Sequence, residues 1–114
     1  AQAQTTGEPQ QSVVQINYRD AKFTQGDFSE WVSRNVRYPQ NCYNNHIQGR
    51  VIVRFTVDEM GHTTNIRVER TPNEELSQAA MDVVRRSPSW IPAKDRSGRR
   101  VKEDFYVPIV FRIQ

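Results

Sequence analysis

No apolar run in this sequence approaches the roughly 18 residues that would cross a bilayer as a helix, so no part of it reads as a membrane span. Cysteine is nearly absent. Cys42 stands alone, which rules out a disulfide within the chain and leaves the redox compartment unassigned. Cys42 and His46 are spaced as two ligands on one helix face would be, but a metal site needs three or four, and the other histidine, His62, falls in a turn. No metal and no other cofactor is expected. Ser87 and Ser89 lack a Gly-x-Ser-x-Gly setting and an evident base, and Asp58-Glu59 reads as turn chemistry rather than as paired carboxylates. With no catalytic constellation, the chain is not read as an enzyme. Charge of one sign is not in large excess either: the net charge is +3, with acids and bases interleaved. That balance is what solubility alone requires, and without an aromatic RNA-binding signature no nucleic-acid partner is expected. The turn carrying Arg96, Arg99 and Arg100 reads as a solvated loop.

What is present is one domain's worth of chain, 114 residues with a single core. Residues 1–17 read as a flexible lead-in or linker and 18–114 as the folded domain. Ala1 to Ser12 hold too little apolar surface to offset the entropy of ordering them, and Val13, Val14 and Ile16 alternate too poorly for more than a weak strand. The opening Ala-Gln-Ala-Gln fits the remnant of a cleaved signal peptide or anchor, and fits an arbitrary boundary equally well.

From Asp27 onward the pattern is regular. Asp27-Phe-Ser-Glu30 has capping-box spacing and predicts a helix over 28–35, with Phe28, Trp31 and Val32 on its apolar face. Tyr38-Pro39 stops it, since a residue before proline is pushed out of the α region. Gln40 to Gln48 can carry another turn or two of helix. Strict alternation over 50–58 and again over 63–70, joined by Asp58-Glu-Met-Gly61, predicts a β-hairpin. Thr71-Pro-Asn-Glu74 offers a second capping box with Pro72 at the first helical position, Ser77 being a rival N-cap. Leu76, Ala80, Val83 and Val84 then recur at helical spacing to about Arg86. Trp31 and Trp90 are expected in the core.

The last stretch, Phe105 to Gln114, alternates with period two, with the odd-numbered residues inward, and it contains Pro108. Proline cannot donate to a ladder and is tolerated at sheet edges. A right-handed return through the second helix also puts this strand at an edge, in the order second, first, third. The expected fold is therefore α+β: a three-stranded antiparallel sheet, order 2-1-3, packed by two helices. If Pro108 faces the open edge, the amides of Val110 and Arg112 face it too.

Several of these features, taken in order, resemble the TonB C-terminal domain family. They are Trp31-Val32 with Asn35, Tyr38-Pro39, Gln48-Gly-Arg-Val-Ile-Val-Arg-Phe-Thr-Val-Asp58 with Gly61, Leu76 and Ala80, Val83-Val84, Ser87-Pro-Ser-Trp-Ile-Pro-Ala93, Gly98, Val101 and Pro108-Ile-Val-Phe111. The resemblance runs from about Phe23 to Ile113. It implies the periplasmic domain of a TonB-type energy transducer, which binds the TonB box of outer-membrane receptors by strand addition. It further implies coupling to the inner-membrane proton motive force through ExbB and ExbD, engaged by a segment outside this chain, and an inner-membrane anchor on the full-length protein. On that reading the partner-binding residues are Asn35, Tyr38, Pro39, Asn41, Val110, Phe111, Arg112 and Ile113. Asn41 departs from the pattern, standing where the best-known transducer has a basic residue that contacts the receptor plug. An open edge also suits pairing of two copies into a homodimer. The alternative use of the same fold is a sensory or cell-wall-binding module of a signalling protein.

Overall fold

A computed structural model of the chain describes residues 20–113. The lead-in over 1–17 and the weak strand at Val13, Val14 and Ile16 lie outside the described residues. Helix α1 (Phe28–Asn35) begins where expected: Asp27 is its N-cap, and its carboxylate accepts from the amide of Glu30 at 3.1 Å. A single short turn, α2 (Gln40–Asn44), follows Pro39. Strands β2 (Gly49–Val57) and β3 (Thr63–Arg70) form the hairpin, α3 (Glu74–Arg85) crosses over, and β7 (Glu103–Phe111) returns beside β2. The sheet is antiparallel with order β3-β2-β7, so the sequence-derived order and fold class both hold.

Alternation decides which face is buried. Val51, Val53, Phe55 and Val57 of β2 and Val107, Ile109 and Phe111 of β7 point inward and are almost fully buried. Against them pack Trp31 and Val32 of α1 and Leu76, Ala80, Val83 and Val84 of α3, so both longer helices lie on one face of the sheet. Each of the valine, leucine, isoleucine and phenylalanine side chains contributes about 1.5–3 kcal/mol when taken out of water. Trp31 and Trp90 belong to this core, in an aromatic cluster with Phe23, Phe28, Phe55 and Phe105.

The start of α3 differs from the capping box read at Thr71. Asn73, extended at φ −160°, is the N-cap and accepts from the Leu76 amide at 3.0 Å, which leaves Pro72 outside the helix. The Thr71 hydroxyl instead bonds within its own turn, accepting from Asn73 N and from the Ser77 hydroxyl. Two short pairings close the ends of the domain: β1 (Lys22–Phe23) with β4 (Trp90–Ile91), and β5 (Ala93–Lys94) with β6 (Arg100–Val101) around the turn at Gly98. Gly61 needs its lack of a side chain. It sits at φ +86°, and a Cβ there would lie 2.1 Å from the carbonyl oxygen of Trp90.

Candidate functional site

The two edges of the sheet are built differently. Along β3 the register slips twice against β2, once between Ile52 and Val53 and again between Arg54 and Thr56, and Asn65 at the second slip has a φ of 52°. Each slip is a bulge, which twists a strand and breaks up its outer row of hydrogen-bonding groups. By contrast, β7 pairs with β2 residue for residue from Glu103 to Phe111 without a slip. Among the described residues no strand pairs on its other side.

Pro108 fixes which groups face that free side. It lies opposite Ile52 and has no N–H, so this pair is a non-hydrogen-bonded one, and alternation turns the backbone of Tyr106, Val110 and Arg112 outward. Tyr106 and Val110 are 60% and 49% exposed, the surface expected of an unpaired edge. At the end of the strand the Ile113 amide donates to Gln48 Oε1 at 2.7 Å, on the β2 side. The same parity therefore persists past the last ladder residue.

Helix α1 runs beside this edge and makes it a groove. Ser29, Val32, Ser33 and Val36 face Pro108, Ile109 and Val110 across a cavity of about 350 Å³. A second cleft, walled by Phe28, Trp90, Phe105 and Tyr106, shares Ser29 and Pro108 with the first, so the two lie side by side along the edge. Ser29 and Ser33 stand one turn apart on the helix, and their small side chains leave room alongside the edge. Sequence reasoning did not single out these serines. The spacing was visible in the chain, but the position of α1 along β7 was not.

The expected site residues divide into three groups. Val110 and Arg112 lie on the open edge and are exposed. Phe111 is 2% exposed, its side chain belongs to the core, and its ring meets that of Tyr38 edge-on at 5.5 Å. Tyr38 donates its hydroxyl hydrogen to the Ile47 carbonyl, and burial pushes its phenol up from the ordinary value, with Cys42 and Tyr43 adding to the shift. Pro39 serves as the N-cap residue of α2. Tyr38 thus joins the end of β7 to the α1–α2 connection. Asn35 and Asn41 are engaged elsewhere: Asn35 donates to the Trp31 carbonyl of its own helix and accepts from Arg86 at its own carbonyl, and Asn41 donates to Glu75 of α3 at 2.8 Å.

The other chemistry-bearing residues have structural partners. Asp58 accepts from the amides of Met60 and His62, both at 2.9 Å, and these bonds, that of His62 foremost, hold its carboxyl below the usual range. Ser87 accepts from the Trp90 indole. Cys42 is fully buried, and burial, with Glu75 alongside, pushes its thiol up. Among the described residues no cluster of three or more His, Cys, Asp or Glu is arranged to hold a metal ion.

Comparison with known proteins accords with this architecture. Residues 34–113 match the family described as "Gram-negative bacterial TonB protein C-terminal". Protein TonB from two strains of Xanthomonas campestris pv. campestris is 33% identical over 79 residues, which are 68% of this chain and 34% of those proteins. The chain thus spans about a third of the length of these relatives. Two solution structures of Helicobacter pylori TonB-CTD, a longer and a shorter span of that domain, share the fold. Their TM-scores are 0.56 and 0.55 at 23% and 24% identity, covering 73% of this chain and 74% and 86% of theirs. The extent of the family match and the identity to the Xanthomonas proteins place this chain in the TonB C-terminal domain family, a family of periplasmic domains.

Proposed function

We propose that this domain is the receptor-binding end of a TonB-type energy transducer and that it captures the extended TonB box of outer-membrane receptors as a fourth strand beside β7. The full-length protein is anchored in the inner membrane, draws on its proton motive force through ExbB and ExbD by a segment outside this chain, and drives uptake without catalysing a reaction. The observation that carries this reading is the asymmetry of the sheet: one edge bulged, the other regular and lined by a groove.

In such an addition main-chain bonds supply the affinity and flanking pockets supply the selectivity. Tyr106, Val110 and Arg112 present outward donors and acceptors, while Pro108 presents only an acceptor, which divides the pairing into two parts. Tyr38 and Pro39 brace the Phe111 end of the strand, so Val110–Ile113 is the firmer part.

Val110 lies opposite Arg50 in a non-hydrogen-bonded pair, so Val110→Pro removes an outward amide and leaves the β2–β7 ladder intact. The variant is expected to keep its far-ultraviolet circular dichroism and to bind a synthetic TonB-box peptide at least about tenfold more weakly in calorimetry. Unchanged affinity would rule out strand addition at this edge.

A further inference from the structure

The outward face of the sheet carries a second surface, at right angles to the open edge. The register defines it as a grid. Arg70, Ile52 and Pro108 form one row across β3, β2 and β7; Arg67, Arg54 and Tyr106 form the next; Arg50 and Val110 lie beyond the first, followed by Arg112. No helix packs on this face among the described residues, since α1 and α3 share the opposite one. Five arginines, Arg50, Arg54, Arg67, Arg70 and Arg112, thus flank an aliphatic centre of Ile52, Pro108 and Val110 on every side but the open β7 edge. The acids on this face are Asp104, which is bonded to Arg54 and Thr56, and Glu69 in the β3 bulge.

Two features of the grid point outward. Arg54 and Arg67 are direct cross-strand partners, a like-charge pairing that destabilises a sheet, and Asp104 forms its salt bridge with Arg54 alone. Arg50, Arg67, Arg70 and Arg112 make no ion pair among the described residues, and all four are exposed. The surface therefore holds guanidinium groups that close no salt bridge, although Asp104 lies within electrostatic reach of Arg67.

Its relief decides between anionic partners. Arginine side chains reach several ångströms further than valine, proline or isoleucine, so the guanidinium groups can stand above the aliphatic centre that they flank. The β2–β3 turn offers only one exposed apolar side chain to insert, Met60, and a flat bilayer held at the height of the guanidinium groups keeps its acyl chains off that centre. A protein segment can cover it with one apolar side chain while its flanking carboxylates meet the guanidinium groups, the apolar centre and charged margin of a protein interface. We infer that the outer sheet face, independently of the β7 edge, docks an acidic protein segment that carries an apolar residue between carboxylates.

The test uses the isotope-labelled chain and the peptide acetyl-Gly-Asp-Glu-Leu-Glu-Asp-Gly-amide, with the Asn/Gln counterpart and phosphatidylglycerol vesicles as comparators. The acidic peptide is expected to shift the amide resonances of Ile52, Arg54, Arg67 and Arg70. Its binding should weaken with added salt and drop about tenfold in the double variant Arg67→Glu/Arg70→Glu, whereas the amide counterpart should bind weakly or not at all. Both substituted residues lie on β3, away from the open edge, so binding of a TonB-box peptide should stay unchanged in that variant. Absence of these shifts, equal binding of the uncharged peptide, an undiminished affinity in a folded double variant, or vesicle binding that the acidic peptide does not displace would each overturn the proposal.

Discussion

Asp104 joins three side chains across the β2–β7 seam. Its Oδ1 accepts from the Thr56 hydroxyl at 2.6 Å and its Oδ2 from Arg54 at 3.0 Å, and Arg54 lies over the Tyr106 ring with its carbon 5.6 Å from the centroid. The Thr56 bond first, then Arg54, holds the Asp104 carboxyl below the ordinary aspartate value. A depressed carboxylate stabilises the fold above its unfolded-state pKa, and that contribution is lost as pH falls through the folded-state value. Asp104→Asn is therefore expected to melt at a modestly lower temperature at pH 7, since the side chain is half exposed and its charges are screened. The gap should close as pH drops below the usual aspartate range, where protonated Asp104 resembles Asn. A gap that persists or widens in acid would mean that the carboxylate charge is not what matters.

Among the elements, α3 shows how a local signal can be right in kind and displaced in place. Its periodic apolar residues predicted the helix, but the cap was read at Thr71, whereas Asn73 supplies it and also accepts from the Cys42 thiol at 3.5 Å. Asn73→Ala is expected to cost about 1 kcal/mol in urea unfolding, and Ser77→Ala less, because Ser77 is not the helix cap. Equal losses would put the cap elsewhere. Helix α1 and the β2–β3 hairpin were legible because capping and alternation are local, Pro108 disclosed the edge for the same reason, and the strand order followed from the handedness of the crossover through α3. The bulges in β3 were not legible, since the extra residue shows only against a partner strand. Neither were the two-residue pairings of β1, β4, β5 and β6, which are too short to carry a period. At the candidate site, the outward parity of Val110 and Arg112 could be read from Pro108, but the groove beside them could not. Where a helix crosses a sheet depends on packing, which the sequence of neither element states.

For the whole molecule, the three-stranded sheet has a single regular edge among the described residues, and the two occupants proposed for it would compete. If two copies pair through β7, they use the outward groups of Tyr106, Val110 and Arg112 that a TonB-box peptide would use. Sedimentation at rising protein concentration is expected to show no species beyond a dimer, and saturating peptide should convert any dimer to monomer. A dimer that survives with peptide bound would place its interface elsewhere. The bulges in β3, at Glu69 and at Asn65–Ile66, give the molecule a polarity of growth. A sheet with two regular margins is a monomer in the polymer chemist's sense, able to propagate in both directions. This one is built as a chain stopper: once a strand is added beside β7, whether ligand or twin, the three-stranded sheet keeps no regular edge among the described residues, and growth would end by geometry and not by dilution.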